Sequence, residues 1–207
     1  MSRARTSNKG TLYVVSAPSG AGKTTIVERL LKKDRRLAKT ISHTTRLPRP
    51  EERSGRDYFF VTEKKFRRMI VKRQLVEWTT VYGNRYGTSR ETIKKSLHGG
   101  KDVVLVIEAR GARAIRRQFN NAVFVLILPP SLPELRRRIS RRAGMKPAAI
   151  RERLSNARRE IAAMGWYDYV VVNDRLPMAV KALETIIAAE RLRFRHRVIL
   201  YKAFARS

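Results

Sequence analysis

A glycine-rich segment near the start of the chain carries the residue types that bind phosphate. It fits the pattern G-x-x-x-x-G-K-[ST] except at its first position, where alanine replaces glycine. In such a loop, successive backbone N–H groups wrap a phosphate at a helix N-terminus, the lysine reaches the β and γ phosphates, and the threonine hydroxyl binds Mg²⁺. The segment therefore predicts a nucleoside triphosphate site, with Mg²⁺ on the threonine, formed by Ala17, Pro18, Ser19, Gly20, Ala21, Gly22, Lys23 and Thr24.

The segments on either side of this loop supply the context that the pattern needs. Residues 11–16 form a short apolar run typical of a buried parallel strand, and residues 24–33 place apolar side chains at helical spacing. A chance glycine turn is the alternative, but G-K-T at a strand-to-helix junction is uncommon. Alanine at position 17 costs little if the backbone there has φ below zero.

A second group of residues could grip a monophosphate. Arg46 and Arg49 lie three apart in a loop that two prolines stiffen, and two guanidinium forks can bind one phosphate in bidentate fashion. Tyr58 and Tyr86 could each donate a phenolic O–H to the same phosphate. The alternatives are arginines that are simply solvated and tyrosines that only pack in the core.

An isolated acid indicates where a purine base could be recognised. Glu77 is a lone carboxylate in a very basic stretch, and a carboxylate can accept both the N1–H and the exocyclic N2–H of guanine. Adenine lacks that pair of donors, so the carboxylate would discriminate between the two bases. Ser42 and Thr88 offer hydroxyls near a base edge. A surface ion pair between Glu77 and an arginine is the alternative.

Apolar strands alternate with amphipathic helices along most of the chain. Residues 41–56 are polar and broken by prolines, which predicts a loop. The patterns predict strands at 11–16, 58–61, 102–107, 122–128 and 169–172, a hairpin of 75–82 with 85–88, and helices at 24–33, 64–72, 89–98, 132–142, 148–164 and 176 to about 196. We expect residues 169–172 to be buried like the other core strands. This alternation indicates an α/β fold with a doubly wound parallel sheet.

Composition and charge exclude several classes of protein. The 207 residues include no cysteine, so disulfides and thiolate metal sites are excluded. No apolar run approaches the ~20 residues that cross a bilayer, and residues 1–9 are polar and basic, which favours a cytosolic protein. Lysine and arginine total 47 against 17 acids, a net charge of +30, so we expect non-specific nucleic-acid binding at low salt. No RNP-type, zinc-finger or bZIP motif accompanies that charge.

Several spaced segments resemble, in the same order, those of the guanylate kinase family. They are SHTTRLPRP from Ser42, GRDYFFV from Gly55, LVEW from Leu75, GNRYGT from Gly83, and LPPS and VND further along. The resemblance covers about residues 10–195. It implies a P-loop three-layer α/β sandwich with a parallel core sheet, and the ATP-dependent phosphorylation of GMP to GDP, with dGMP as a further acceptor.

The resemblance also implies a division of the chain. The core would consist of residues 10–40, 99–135 and 165–195, with a small GMP-binding subdomain inserted at about 41–98 and a short lid at about 136–164. Basic tails would occupy residues 1–9 and 196–207. We expect the subdomain and the lid to close over the two nucleotides, and the sequence leaves the oligomeric state open.

Family roles can be assigned residue by residue to matching positions of this chain. The resemblance implies GMP binding by Ser42, Arg46, Arg49, Tyr58, Glu77, Tyr86, Thr88 and Glu108. It implies that Arg142 and Arg153 contact the phosphates of ATP and that Asn173 lies on the adenine side. The candidate catalytic residues are then Lys23, Arg46, Arg142, Arg153 and Glu108.

One segment departs from the family pattern. Where guanylate kinases usually carry L-x-I-D-x-Q-G, often with an acid at x, this chain has LVIEARG at residues 105–111. Val106 takes the place of the first acid, Glu108 replaces aspartate with a side chain one methylene longer, and Arg110 replaces glutamine. A misplacement of ~1 Å can cost ~100-fold in rate, so the departures leave slow catalysis open. The lid segment 144–149 also lacks acids.

Three other functions remain as alternatives. The first is a P-loop kinase for another phosphorylated acceptor, such as a sugar phosphate, although Glu77 with Thr88 would then have no base to recognise. The second is a non-enzymatic scaffold that binds phosphopeptides, although Lys23 and Thr24 are not needed there. The third is a basic nucleic-acid-binding relative of low activity.

Overall fold

The computed structural model describes residues 10–81, 83–141, 147–162 and 164–193, with the side chain of Arg110 excepted. The strands are β1 Leu12–Ser16, β2 Leu37–Lys39, β3 His43–Thr44, β4 Phe59–Phe60, β5 Leu75–Val81, β6 Asn84–Ser89, β7 Asp102–Val106, β8 Val123–Leu128 and β9 Tyr169–Val172. The helices are α1 Lys23–Lys33, α2 Glu63–Val71, α3 Arg90–His98, α4 Ala109–Arg116, α5 Leu132–Ser140, α6 Pro147–Ala162 and α7 Leu176–Leu192, with a 3₁₀ turn at Met164–Trp166.

Five strands form a parallel core sheet in the order β2-β7-β1-β8-β9. The three central strands are almost wholly buried, since they are short runs of valine, leucine and phenylalanine covered on both faces. Helices α1 and α7 pack on one face, and α3 and α4 pack on the other. This arrangement confirms the predicted α/β fold with a doubly wound parallel sheet.

A second, smaller sheet has the order β4-β3-β6-β5, in which β5 and β6 form the predicted antiparallel hairpin. Helix α2 covers one face of this sheet through Phe66 and Met69. Gly87 permits this packing, because a Cβ there would lie 2.8 Å from Leu75 Cδ1 and 3.0 Å from Phe66 Cζ. The alternation along β5 and β6 therefore leaves Glu77 and Tyr86 on the face away from α2.

The helices begin where the sequence supplies a cap. Ser89 is the N-cap of α3, and its hydroxyl accepts a hydrogen bond from the Thr92 backbone N–H at 3.4 Å. Ser131 caps α5 in the same way. Helices α5 and α6 pack together through a small cluster that includes Leu135 and Ile139. That pair of helices lies beside the phosphate loop.

The structure corrects three predictions. Strand β3 forms within the stretch predicted as a loop over 41–56, and β2 was not predicted, because strands of two or three residues show no periodicity. Strand β9 is not buried like the others: Val170 and Val172 are 47% and 54% exposed, since β9 is an edge strand with only one covered face. The helix predicted over 148–164 ends at Ala162.

Some predictions concern residues that lie outside the described ones. They are the two basic tails, the end of the long C-terminal helix beyond residue 193, and Arg142 with the four residues that follow it. Within the described part of the chain, no helix is both long and apolar enough to cross a bilayer. The cytosolic location predicted from composition stays a prediction.

Candidate functional site

The phosphate loop joins the end of β1 to the start of α1. Gly20 and Gly22 have φ of +96° and +91°, in the left-handed region that glycine adopts without strain. Among the described residues, Arg73 is the non-glycine with positive φ, so Ala17 keeps a negative φ. The replacement of glycine by alanine at the first position of the pattern is therefore tolerated, as predicted.

A buried asparagine supports this loop from below. The side-chain amide of Asn173 donates to the Ala21 carbonyl oxygen at 2.7 Å. A Cβ at Gly22 would lie 2.4 Å from the Asn173 Nδ2 atom, so only glycine allows this approach. Asn173 is 5% exposed, and this position supports the loop's backbone more directly than it would contact an adenine ring.

Lys23 lies at the first position of α1, beneath the loop and against the core sheet. Its Nζ donates to the Ile107 carbonyl oxygen at 2.9 Å. Burial lowers the pKa of the Lys23 ammonium, and the nearby carboxylates of Glu108 and Glu160 oppose that shift. The ammonium thus has one neutral hydrogen-bond acceptor, the Ile107 carbonyl oxygen at the end of β7. An anionic phosphate could replace that acceptor.

A polar cavity of about 470 Å³ lies over the loop. Residues 17–20 and 22–24 line one side of it, and the opposite side comes from α6. Arg153 on α6 donates a hydrogen bond from its guanidinium to the Ser19 hydroxyl. Thr24 is exposed to the cavity at the start of α1. The loop, the predicted lid arginine and the predicted Mg²⁺ ligand therefore face one space.

Sequence reasoning missed two acids that line this cavity, Glu152 and Glu160, of which Glu160 is the more buried. Glu160 lies on α6 two turns after Arg153, and both side chains line the cavity with Asn156 and Ala157 between them. Burial and the charge of Glu108 raise the pKa of Glu160 to about 7, whereas the charge of Lys23 lowers it. In the described structure its buried Oε2 atom has no hydrogen-bond partner. The seven-residue spacing from Arg153 on a helix is the signal that could have identified it.

A second cavity of about 250 Å³ lies between the two sheets. Five of the residues predicted to bind GMP line it: Ser42, Tyr58, Glu77, Tyr86 and Glu108. Lys23, Val81 and Glu108 line both cavities. A ligand in each would therefore meet the other beside the ammonium of Lys23 and the carboxylate of Glu108.

Glu77 is buried in the second cavity, at 7% exposure, which excludes the alternative of a surface ion pair. Its Oε1 accepts a hydrogen bond of 2.6 Å from the Thr88 hydroxyl across the hairpin. Burial raises the pKa of Glu77, and the bond from Thr88 opposes that shift. Gly111 makes room for the carboxylate, since a Cβ there would lie 2.9 Å from Glu77 Oε2. Thr88 thus holds one oxygen in place.

Arg46 lies at the rim of this cavity and has an acidic partner that sequence reasoning missed. Its Nη2 donates to Glu52 Oε1 and Oε2 at 2.7 and 2.8 Å, and its Nη1 donates to the Leu47 carbonyl oxygen at 2.7 Å. The guanidinium lies 5.6 Å from the ring centre of Tyr58. The hydrogen bond to Glu52 is the main cause of a raised Arg46 pKa.

The two predicted tyrosines and the two remaining arginines differ in their placement. The rings of Tyr58 and Tyr86 meet edge to face at 5.8 Å, so each tyrosine both packs and lines the cavity. Arg49 is exposed further along the same loop, where its backbone N–H donates to Glu52. Arg142 lies outside the described residues. The structure therefore brings together most of the predicted acceptor-site residues, with Arg49 beyond the cavity wall.

The donor set around the first cavity fits Mg²⁺. Mg²⁺ prefers oxygen ligands, retains several waters and is usually held by few protein groups together with substrate phosphates. Thr24 offers a hydroxyl, and the carboxylates of Glu108 and Glu160 face the same space. Among the described residues, no cluster of three histidines or acids forms a protein-only metal site. Val106, which departs from the resembled pattern, lines the second cavity.

Comparisons with known proteins agree with this geometry. A family model described as guanylate kinase matches residues 9–190. The chain is 46% identical over 185 residues to the guanylate kinase of Polaromonas sp. strain JS666, covering 89% of this chain and 90% of that protein. It is 42% identical over 183 residues to the guanylate kinase of Thermotoga maritima, covering 88% of each.

A solved structure is similar in fold as well as in sequence. The crystal structure of guanylate kinase from Anaplasma phagocytophilum superposes with a TM-score of 0.73 and 31% sequence identity. The match covers 90% of this chain and 88% of the other. The similarity to these proteins therefore covers the segments that form both sheets, the phosphate loop and both cavities.

Proposed function

Because this chain belongs to the guanylate kinase family and catalyses the ATP-dependent phosphorylation of GMP to GDP, we propose that the first cavity holds ATP and the second holds GMP. The observation that carries this assignment is that Lys23 and Glu108 line both cavities. A phosphoryl group that passes between two nucleotides needs both of them at one point, in line and shielded from water.

The phosphate loop would bind the triphosphate of ATP. Its backbone N–H groups would surround the phosphates at the start of α1, where the helix dipole also favours negative charge. Lys23 would exchange the Ile107 carbonyl for the β and γ phosphates, because a charged acceptor forms the stronger hydrogen bond. Arg153 would likewise leave the Ser19 hydroxyl for a phosphate oxygen. Arg142 would assist from the lid, as its matching position in the family suggests.

Glu77 would recognise the guanine base. Its carboxylate, fixed by Thr88, can accept the two N–H groups on the guanine edge, which no other common base presents together. Ser42 would contribute a further hydroxyl to the base edge. Because these groups are buried, a base that left them unpaired would bind much more weakly. Acceptance of dGMP stays a prediction.

Arg46, Arg49, Tyr58 and Tyr86 would bind the phosphate of GMP. In the described conformation Glu52 and a backbone carbonyl occupy the guanidinium of Arg46. We expect the phosphate to compete with Glu52 for this group, so that GMP binding reorders the loop that carries both. Arg49, now exposed, would then move towards the same phosphate.

Phosphoryl transfer requires positive charge around the transferred group and little covalent assistance. When bound on Thr24, Mg²⁺ would neutralise charge on the β and γ phosphates and hold them in position. Lys23, Arg153 and Arg46 would neutralise the rest and align the acceptor oxygen of GMP with the γ phosphorus. Glu108 would orient the reacting phosphate groups where the two cavities meet, and Glu160 would face the phosphates of ATP. Closure of residues 41–98 and 136–164 would exclude water.

Calorimetric titration of each nucleotide alone tests this assignment. We expect a non-hydrolysable ATP analogue and GMP to bind independently, at one site each. Lys23→Ala should weaken the analogue far more than GMP, whereas Glu77→Gln should weaken GMP and spare the analogue. If either substitution weakened both ligands equally in folded protein, the two-cavity assignment would fail. Parallel titrations with dGMP would show whether the ribose hydroxyl matters.

A further inference from the structure

Helix α2 and the two residues after it carry an unusual concentration of positive charge. The segment 63–73 has six cations and one acid, and all six cations are exposed. Phe66 and Met69 form the buried side of the helix. We call the exposed side the α2 face, and its cations are Lys64, Lys65, Arg67, Arg68, Lys72 and Arg73.

Most of this charge is not neutralised locally. Glu63 forms ion pairs of 2.8 Å with both Arg67 and Arg85, so one acid serves two arginines. Within the described part of the chain, the other five cations of the α2 face have no ion-pair partner within 4 Å. By contrast, α7 has two cations and two acids in its 17 residues. The surplus charge is therefore not spread evenly over the helices.

An exposed aromatic ring lies beside the α2 face. Trp78 is 46% exposed, on the same side of the small sheet as Gly87 and α2. The guanidinium of Arg85 lies 5.4 Å from the centre of its ring. Single-stranded nucleic acid binds proteins through cations that follow its backbone and aromatic rings that stack on its bases. Both elements occur here together.

The α2 face is separate from the nucleotide cavities. The small sheet lies between them, with Glu77 and Thr88 on the cavity side and Trp78 and Gly87 on the α2 side. None of the six cations of the α2 face lines either described cavity. A ligand on the α2 face would thus leave the path to GMP and ATP open.

We propose that the α2 face, with Trp78, binds single-stranded nucleic acid through its phosphate backbone and one stacked base. A membrane surface fits less well, because a helix that lies on lipid must present apolar residues outward. Here the apolar residues Phe66 and Met69 are buried against the sheet, and Val71 is the one large apolar side chain of α2 that is strongly exposed. A phosphodiester backbone is a polyanion, so it fits a face of cations without ion-pair partners next to an aromatic ring.

Fluorescence anisotropy of a labelled oligo-uridine RNA, titrated with the full chain over a series of NaCl concentrations, tests the proposal. A quadruple variant, Lys64→Ala, Lys65→Ala, Arg68→Ala and Lys72→Ala, removes four exposed cations from the α2 face. A matched control removes four exposed cations from the side of α1 and α7, through Arg29→Ala, Lys32→Ala, Arg35→Ala and Lys181→Ala.

We expect the α2 variant to bind RNA at least about tenfold more weakly and its salt dependence to fall by about 3 in log–log slope. The control should change affinity about twofold, and both variants should keep GMP phosphorylation. Equal losses in the two variants would overturn the proposal, because they would mean that net charge alone attracts RNA. Labelled oligo-thymidine, run in parallel, distinguishes RNA from DNA as the favoured strand.

Two single variants separate stacking and charge from loss of folding. Trp78→Leu should weaken RNA binding about fivefold, and the loss should persist at high salt, where charge is screened. Arg73→Gly removes a cation from a position with φ of +52°, so the backbone becomes less strained while RNA affinity falls. Binding to phosphatidylserine vesicles with no binding to either oligonucleotide would contradict the proposal.

Discussion

The two regions proposed to bind phosphate are built in different ways. The loop at residues 17–24 is one continuous segment whose backbone would supply most of the contacts to phosphate, so its shape depends on Gly20, Gly22 and the strand and helix that flank it. The acceptor site takes side chains from β5, β6 and two loops, and each depends on a partner such as Thr88 or Glu52. A site formed by backbone groups tolerates side-chain changes and can be recognised in the sequence. A site formed by side chains can be altered, or lost, through single substitutions.

The largest effect is expected at the lysine of the phosphate loop. Lys23→Ala should lower kcat by about a thousandfold or more, because no other described cation lines both cavities. Steady-state kinetics with saturating ATP and GMP would measure this. Lys23→Arg, which keeps the charge but not the shape, serves as the control. A loss below tenfold in folded protein would show that the loop's backbone alone suffices to bind and position the phosphates of ATP.

The next effect concerns the guanidinium at the rim of the acceptor cavity. Arg46→Ala should lower kcat/KM for GMP by about a hundredfold, since hydrogen bonds between charged groups are the strong ones. The KM for ATP should stay nearly constant. Arg46→Lys should recover only part of the loss, because lysine cannot bind phosphate in bidentate fashion. An equal rise in the KM for both substrates would argue against a separate acceptor site.

A smaller and graded effect should come from pH. Burial raises the pKa of Glu77, and protonation removes an acceptor that guanine needs. As pH falls through this raised pKa, above the ordinary glutamate range, the KM for GMP should rise by up to about tenfold per unit. In Glu77→Gln the KM should be higher and should change less with pH, keeping only the dependence that the GMP phosphate itself contributes. A wild-type profile that stayed flat down to pH 4.5 would contradict this role.

The smallest effect should come from the loop's departure from its pattern. Ala17→Gly restores the usual first residue but should change kcat by less than about twofold, because Ala17 already has a negative φ. The free energy of unfolding, measured in urea, should fall by about 0.5–1 kcal/mol, since glycine gains more freedom in the unfolded chain. A large gain in activity would show that the alanine side chain restricts the loop.

Much of this fold could be predicted because its signals are local. The strand, loop and helix around Lys23 lie within about two dozen consecutive residues, and the core strands β1, β7 and β8 are apolar runs that read as buried. The hairpin of β5 and β6 followed from its alternation and its turn. The resemblance in spaced motifs, confirmed by the comparisons, gave the family and therefore the reaction.

The features that could not be predicted depend on distant partners. Glu52 pairs with Arg46 only because the loop that carries both folds back on itself. Glu160 reaches the site only because α6 packs over the phosphate loop. The exposure of Val170 and Val172 depends on which strand lies at the sheet edge, which a run of valines does not reveal. Strands β2 and β3 are too short to show a period, so pairing with neighbours defines them.

Selectivity for the phosphoryl acceptor can be measured by ADP release with ATP and Mg²⁺, with GMP, AMP, CMP and UMP offered separately. Two joined cavities with a buried carboxylate in the second predict turnover with GMP at least about a thousandfold above that with AMP. In Glu77→Gln this ratio should shrink. Comparable turnover with GMP and AMP, or no turnover with any acceptor in folded protein, would contradict the assignment of the second cavity to GMP.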